Sequence, residues 1–438
     1  ITRGEQSSLI EAPSTDESPV LVAGLPFRAE ILVGLYQVGP LALEDVHIRA
    51  ERLYESWKVG FNNPLVDGEI RIPNDNNKPL LINLESLRLT SSLLGAKPID
   101  PTTTTQLLPK VPGISVDPRN LPLADVAVRA LYMDEVNYGN WSLQIRPQAQ
   151  GVLFDKINGT VKGVTVGGPT ELSADGKAQI KKPGAKMEWL VDANGSSTHF
   201  IGELSATNMS TVMREWQKPD MLESKSARFK VDATWSGDPQ DFELKKIAGN
   251  IDIYIEQGRF KNTPSRSSDG LLRLMAVLNF DSLARRLRLD FSDLYQSGLA
   301  YDQIIGKANF IPGTLTFVEP LEVKTPSSRL QLAGKLDLEK ETIDARLVAT
   351  LPVVGSYTFF TALVTGLPAA AGIYVVSKLF KKQVDRATSI SYTIRGEWGE
   401  PKMSFDRLFE SEEEFIQKAG EEEKPQKNRR RKKINAKK

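Results

Sequence analysis

Apolar and polar residues alternate with a period of two along most of the chain after residue 126. Met187, Trp189 and Val191 share one side of such a segment, and Phe200, Gly202 and Leu204 repeat the pattern. Phe229, Val231, Ala233 and Trp235 are interleaved by Arg228, Lys230, Asp232 and Thr234. Ile251, Ile253 and Ile255 follow, then Leu330, Leu332, Leu336 and Leu338, then Ile343, Ala345, Leu347 and Ala349. Side chains of a strand point alternately to opposite faces, so each segment predicts a strand with one oily and one polar face. Asn158-Gly159, Asp175-Gly176, Asn194-Gly195 and Ser236-Gly237 fall between segments and predict turns. Residues 27–82 read as short strands broken by turns such as Val66-Asp67-Gly68-Glu69, and the proline-rich stretch 90–119 reads as an extended loop.

Helical periodicity is confined to a few places. Asn208 is placed to cap a short helix running through Trp216 and stopped by Pro219. Ser268 or Asp269 opens a second, over about 268–289, with Leu271, Leu272, Leu274, Met275 and Leu278 on a broad apolar face. A third helical region spans 356–386, and a fourth, exposed and acidic, is expected from Asp406 to Lys418.

Strands that are apolar on one face only, with no helix between them, do not fit a parallel α/β sheet, which is buried on both faces. The oily face has to meet a second sheet, close into a barrel, or line a trough; alternation leaves all three open. Acyl chains would fill a trough well, at roughly 0.8 kcal/mol per buried methylene. Residues 352–377 carry no charge and are followed by Lys378, Lys381 and Lys382. That length reaches the ~20 residues of a bilayer span, but Gly366 and Pro368 interrupt it. It reads as a core helix plugging one end of the sheet, as a transmembrane span, or as a membrane-contacting helix. In the last case Tyr357, Phe359, Phe360, Leu363 and Val364 face lipid and the lysines meet headgroups.

This order of features resembles the C-terminal region of AsmA-like proteins of the YhdP type. The residues that carry the resemblance begin with 269–302, where the leucine-rich helix leads into Arg285, Arg286 and Arg288. They continue through Gly306 and Gly313, the segments 330–338 and 343–351, the proline-interrupted apolar stretch, and 392–403 with Gly396, Trp398 and Pro401. The match is clearest over 240–405; residues 25–240 share only the texture of alternating strands. The resemblance implies a mainly β chain, a long twisted antiparallel sheet curled into an apolar groove. It also implies a Gram-negative envelope protein carrying phospholipid between inner and outer membranes. The inner-membrane anchor would lie in a preceding N-terminal part, and this segment toward the outer membrane. The chain then divides into a polar linker (1–24), a β-groove segment (25–240), an AsmA-like C-terminal domain (241–405) and a charged tail (406–438). The alternating residues named above become groove lining.

Composition narrows the chemistry. The 438 residues include no cysteine, which removes disulfides, zinc thiolates and cysteine nucleophiles. The net charge of +1 gives no field to steer nucleic acid. The chain opens at Ile1 on a polar stretch and is expected to be a fragment of a longer protein. The two histidines, His47 and His199, lie far apart, with no metal-ligand spacing around them. Neither a Walker loop, a His-Glu-x-x-His nor a Gly-x-Ser-x-Gly is present. Carboxylate pairs such as Asp134 with Glu135 and Asp290 with Asp293 are expected by chance in so charged a chain, and the sequons at Asn140, Asn158, Asn194 and Asn208 would matter only in a secreted eukaryotic protein. Arg285, Arg286 and Arg288 either meet phosphate headgroups or form a solvated helix face, and the acidic-then-basic tail after Glu410 is expected to be disordered. The expectation is a lipid conduit without cofactor or catalysis; the competing one is a β scaffold that docks outer-membrane components.

Overall fold

The computed structural model describes residues 27–38, 41–89, 116–167, 184–261, 299–326, 328–351, 388–398 and 401–408. The strands are β1 (Arg28–Val38), β2 (Leu41–Arg52), β3 (Ser56–Asn62), β4 (Val66–Pro73), β5 (Leu80–Leu89), β6 (Ala124–Val128), β7 (Leu131–Met133) and β8 (Val136–Asn137). They continue as β9 (Asn140–Gln148), β10 (Gly151–Val161), β11 (Val164–Gly167), β12 (Ala185–Asp192), β13 (Gly195–Ala206), β14 (Leu222–Ser236) and β15 (Ala248–Phe260). The last are β16 (Ala300–Ile311), β17 (Thr314–Lys324), β18 (Arg329–Asp337), β19 (Thr342–Leu351), β20 (Thr388–Glu397) and β21 (Lys402–Leu408). A short helix, α1 (Met209–Glu215), precedes β14.

The 21 strands of the described residues all belong to one sheet. Each strand from β1 to β4, and each from β12 to β20, pairs antiparallel with the next. Antiparallel neighbours need only a tight turn, which is why turn residues punctuate the chain. The junction is different: β5 runs parallel to β6 and β7, and β6 then pairs with β9 and β9 with β10. Parallel neighbours require the chain to return from one end of the strands to the other. The last part of that return is a 3-10 turn, Pro118–Asn120, lying against β9, β10 and β12. β11 and β12 lie end to end between β10 and β13, one strand interrupted by residues 168–184. At roughly 4.8 Å per paired strand, the sheet extends about 80 Å from β1 to β21.

The turns at Asn194-Gly195 and Ser236-Gly237 form as expected, with Gly195 at φ +124° and Gly237 at φ +109°. Three expectations need correction. Asn158-Gly159 lies inside β10, beside a register shift, and the glycine serves packing: a Cβ there would sit 2.5 Å from Cε3 of Trp141. Val66-Asp67-Gly68-Glu69 is the start of β4, where Gly68, at φ +150°, absorbs a bulge against β5. The helix expected from Asp406 does not begin there, because Asp406, Arg407 and Leu408 extend β21, whose register sets Leu408 opposite Ile390. Within residues 27–82 the strands reach 12 residues, in β2, so "short" understates them. The linker 1–24, the turn at Asp175-Gly176, the helices at 268–289 and 356–386 and the tail beyond 408 lie outside the described residues.

Candidate functional site: an apolar strip across the sheet

Residues directly opposite each other on paired strands share a face. The cross-strand pairs therefore trace one continuous surface. It passes from Ile31 to Ile48 and Phe61, and on through Val59–Ile70, Ile70–Ile82, Ile82–Val126 and Val126–Leu143. Ile145–Phe154, Phe154–Met187 and Met187–Phe200 carry it to β13. From there Leu204–Phe229, Phe229–Ile253, Ile255–Ile304, Ile304–Val323, Val323–Leu330, Leu332–Leu347 and Leu347–Tyr392 take it to β20. None of these positions holds a charged residue. The opposite face is laced with ion pairs: Lys58–Glu69 at 2.7 Å, Arg146–Asp125 at 2.6 Å and Arg395–Asp344 at 2.8 Å.

The strip has walls where β13–β15 end. At the turn end, Trp235 is buried against Phe242, their ring centroids 5.3 Å apart, with Ile247 buried beside them. Trp189 is buried there too, its Nε1 donating to Asp238 Oδ1 and Ser196 Oγ at 3.0 and 2.8 Å. At the other end, α1 sets Met213 into the same cluster as Met221, Leu222 and Ala227. Asn208 caps α1, accepting from Ser210 N at 2.9 Å, as its sequence position predicts. A polar clamp holds the helix down: Ser210 Oγ and Lys261 Nζ both donate to Asp220 Oδ2 at 2.7 Å. Burial raises the Asp220 carboxyl, but the hydrogen bonds from Lys261 and Ser210 together outweigh it and hold the group below its usual value. Between these walls Phe200, Leu204, Phe229, Val231, Ile251 and Ile253 are half-buried.

The expected lining residues thus occupy one face, in two environments. Met187, Phe200, Leu204, Phe229, Val231, Ile251 and Ile253 form the half-open floor, with Trp189, Trp235 and Ile255 at its margins. Leu330, Leu332, Leu336, Leu338, Ile343 and Leu347 are 0–3% exposed, inside a packed cluster. The membrane-contact set, Tyr357, Phe359, Phe360, Leu363 and Val364, and the headgroup set, Arg285, Arg286, Arg288, Lys378, Lys381 and Lys382, lie outside the described residues. Sequence reasoning missed four cations placed over aromatic rings; Arg88 lies 4.0 Å from the Tyr132 ring and Arg228 4.5 Å from the Tyr254 ring. Arg52 lies 5.9 Å from the Trp57 ring, and Lys162 lies 4.9 and 5.0 Å from Tyr138 and Trp216. Partners distant in sequence hid the Lys162 arrangement.

Among the described residues, little else has a site's geometry. A polar cavity of about 190 Å³ opens on the opposite face, where β10 forks to β11 and β12, lined by Asn140, Ser142, Asn158, Thr165, Glu203 and Ser205 among others. His199 and His47 contact Asp232 and Glu30, each at 2.7 Å, on the polar face. Among the described residues, no group of three or more His, Asp or Glu side chains could hold a metal ion, and no helix is long and apolar enough to cross a membrane.

One long β sheet with a continuous oily face and an ionic reverse defines a class of extended β proteins built around an apolar surface. The YhdP protein family model matches residues 6–403, and the chain belongs to that family. It is 21% identical over 278 residues to the intermembrane phospholipid transporter YhdP of Escherichia coli (strain K12), a match covering 62% of this chain and 21% of that protein. The chain thus spans about a fifth of that relative's length. No solved structure matches.

Proposed function

We propose that this chain is a segment of a non-enzymatic phospholipid conduit whose apolar strip shields acyl chains while headgroups stay in water. The observation that carries the reading is the unbroken, charge-free strip. From β2 to β15 it is about 50 Å long at roughly 4.8 Å per strand. One leaflet's acyl region is about 15 Å thick, half of a ~30 Å hydrocarbon core. The strip is long enough for several lipids in file, each methylene stabilised by roughly 0.8 kcal/mol on leaving water. The name of the E. coli relative, an intermembrane phospholipid transporter, supports phospholipid as the cargo.

The same reading covers transport between the inner and outer membranes of a Gram-negative envelope in support of the outer-membrane barrier, with this segment toward the outer membrane. It assigns Tyr357, Phe359, Phe360, Leu363 and Val364 to membrane contact. Headgroup contact falls to Arg285, Arg286, Arg288, Lys378, Lys381 and Lys382, together with Arg52 and Lys162. A second reading, a scaffold for outer-membrane components, draws on β18–β20, where Gln331, Ala333, Val348 and Ser391 are buried on the reverse face too.

The test is lipid extraction from the protein purified gently from membranes, with mass spectrometry of the extract. Phospholipid should be present, and Ile82→Asp and Met187→Asp, each still folded, should retain several-fold less. A folded parent protein that carries no phospholipid would favour the scaffold.

A further inference from the structure

Buried residues occur all along the strip, Val152, Ile157, Val166, Ala185 and Ala233 among them at 8% exposure or less, but its half-buried apolar positions end at one step between neighbouring strands. Up to β15 its centre is half-buried: Ile48, Val59, Phe61, Ile70, Ile82, Val126, Leu143, Phe154 and Met187 in the first strands, then the floor residues through Ile251 and Ile253. Ile72 and Ile31, on the same face, are 40% and 49% exposed. On β16 the partners change character. Ile253 faces Gly306, and Ile251 faces Ala308, which is 1% exposed.

From β16 to β19 the strip is packed shut across its width. Ile304, Ala308 and Phe310 on β16, Leu315, Phe317, Leu321 and Val323 on β17, and Leu330, Leu332 and Leu336 on β18 are each at most 7% exposed. Ile343, Ala345, Leu347 and Ala349 on β19 continue the pattern at 5% or less. The packing is tight at the step itself: a Cβ on Gly306 would meet Leu321 Cδ1 at 3.0 Å and Leu321 Cα at 3.1 Å. Burial also pushes the Tyr392 hydroxyl on β20 up to about 12, the behaviour of a group away from water. Core packed this densely leaves no room for an acyl chain without parting its own contacts.

We propose that the lipid-accessible site of this chain is the strip from β2 to β15, that it ends at the β15–β16 step, and that β16–β20 form a closed block which acyl chains do not enter. Acyl chains arriving along the strip leave it at or before that step. The inference rests on the conduit reading and adds where the conduit stops. It also reassigns Leu330, Leu332, Leu336, Leu338, Ile343 and Leu347 from lining to structural core.

This chain lacks cysteine, so single cysteines placed in it report without background. Ile82→Cys, Met187→Cys and Ile253→Cys probe the open strip. Ala308→Cys and Ala349→Cys probe the block with a near-isosteric change that keeps the fold, verified by melting. Each protein is delipidated and then loaded from phosphatidylethanolamine–phosphatidylglycerol vesicles, and maleimide reactivity is measured in both states. Cysteines at 82, 187 and 253 should react when delipidated and slow by tenfold or more on loading. Those at 308 and 349 should be unreactive in both states. Reactivity at 308 or 349 that loading suppresses overturns the stop but leaves the conduit standing. Loading that protects no position overturns both.

Discussion

At the scale of single residues, the strip is kept smooth by exchanging bulk between neighbouring positions. Phe200 folds back over Gly202, where a Cβ would lie 2.8 Å from the ring's Cζ and 2.6 Å from Ala185 Cβ. Gly202→Val should cost about 1–3 kcal/mol, because the ring and the neighbouring strand must both shift; chemical denaturation measures it. Leu347 is 0% exposed, so Leu347→Ala should cost about 2–5 kcal/mol. Ile82→Ala, on the half-open strip, should cost less than half as much in the same experiment. Alternation identified which residues of each strand share a face, such as Phe229 with Val231 and Ile251 with Ile253, but not which strands pair. It could not tell a lining residue from a core residue. That depends on what lies over the face, and Leu332 and Ile253 look alike in a period-two pattern. Glycines were misread for a related reason: Gly159 makes room for a ring three-dimensionally beside it, and a local pattern sees only a turn former.

At the scale of elements, α1 shows how local and tertiary signals combine. Its cap was legible, since an asparagine before a helical stretch offers its side chain to the first amides. Asn208→Ala should destabilise the protein by about 1 kcal/mol, measured by thermal unfolding. The clamp was not legible, because Lys261 and Asp220 are 41 residues apart. It carries a pH dependence. Asp220 is held below its usual value by Lys261 and Ser210 against the opposing effect of burial. A carboxyl depressed in the fold stabilises fully above its unfolded value, near 4, and loses that contribution as pH falls through the folded value. Acid unfolding of Asp220→Asn should therefore show a shallower loss of stability below about pH 4 than the parent. An unchanged slope would mean the clamp contributes nothing. β21 teaches the converse lesson: Asp406, Arg407 and Leu408, read as the start of a helix, lie in a strand, because pairing with β20 outweighs local propensity.

At the scale of the molecule, twisted antiparallel pairing carries one oily face from strand to strand, and the ionic face keeps the sheet wet on the other side. The single-faced sheet was legible from the sequence. The parallel step between β5 and β6 was not, since nothing local distinguishes a strand that pairs backward from one that pairs forward. The central claim is that phospholipid lies on the apolar face alone. The most direct measurement places a photo-crosslinking benzophenone side chain at Met187 and Ile253 on the strip, and at the adjoining Glu188 and Asp252 on the reverse. Irradiation in membranes followed by mass spectrometry should give phospholipid adducts at 187 and 253 and none at 188 and 252. Equal labelling of both faces, or adducts at none of the four, would contradict the account.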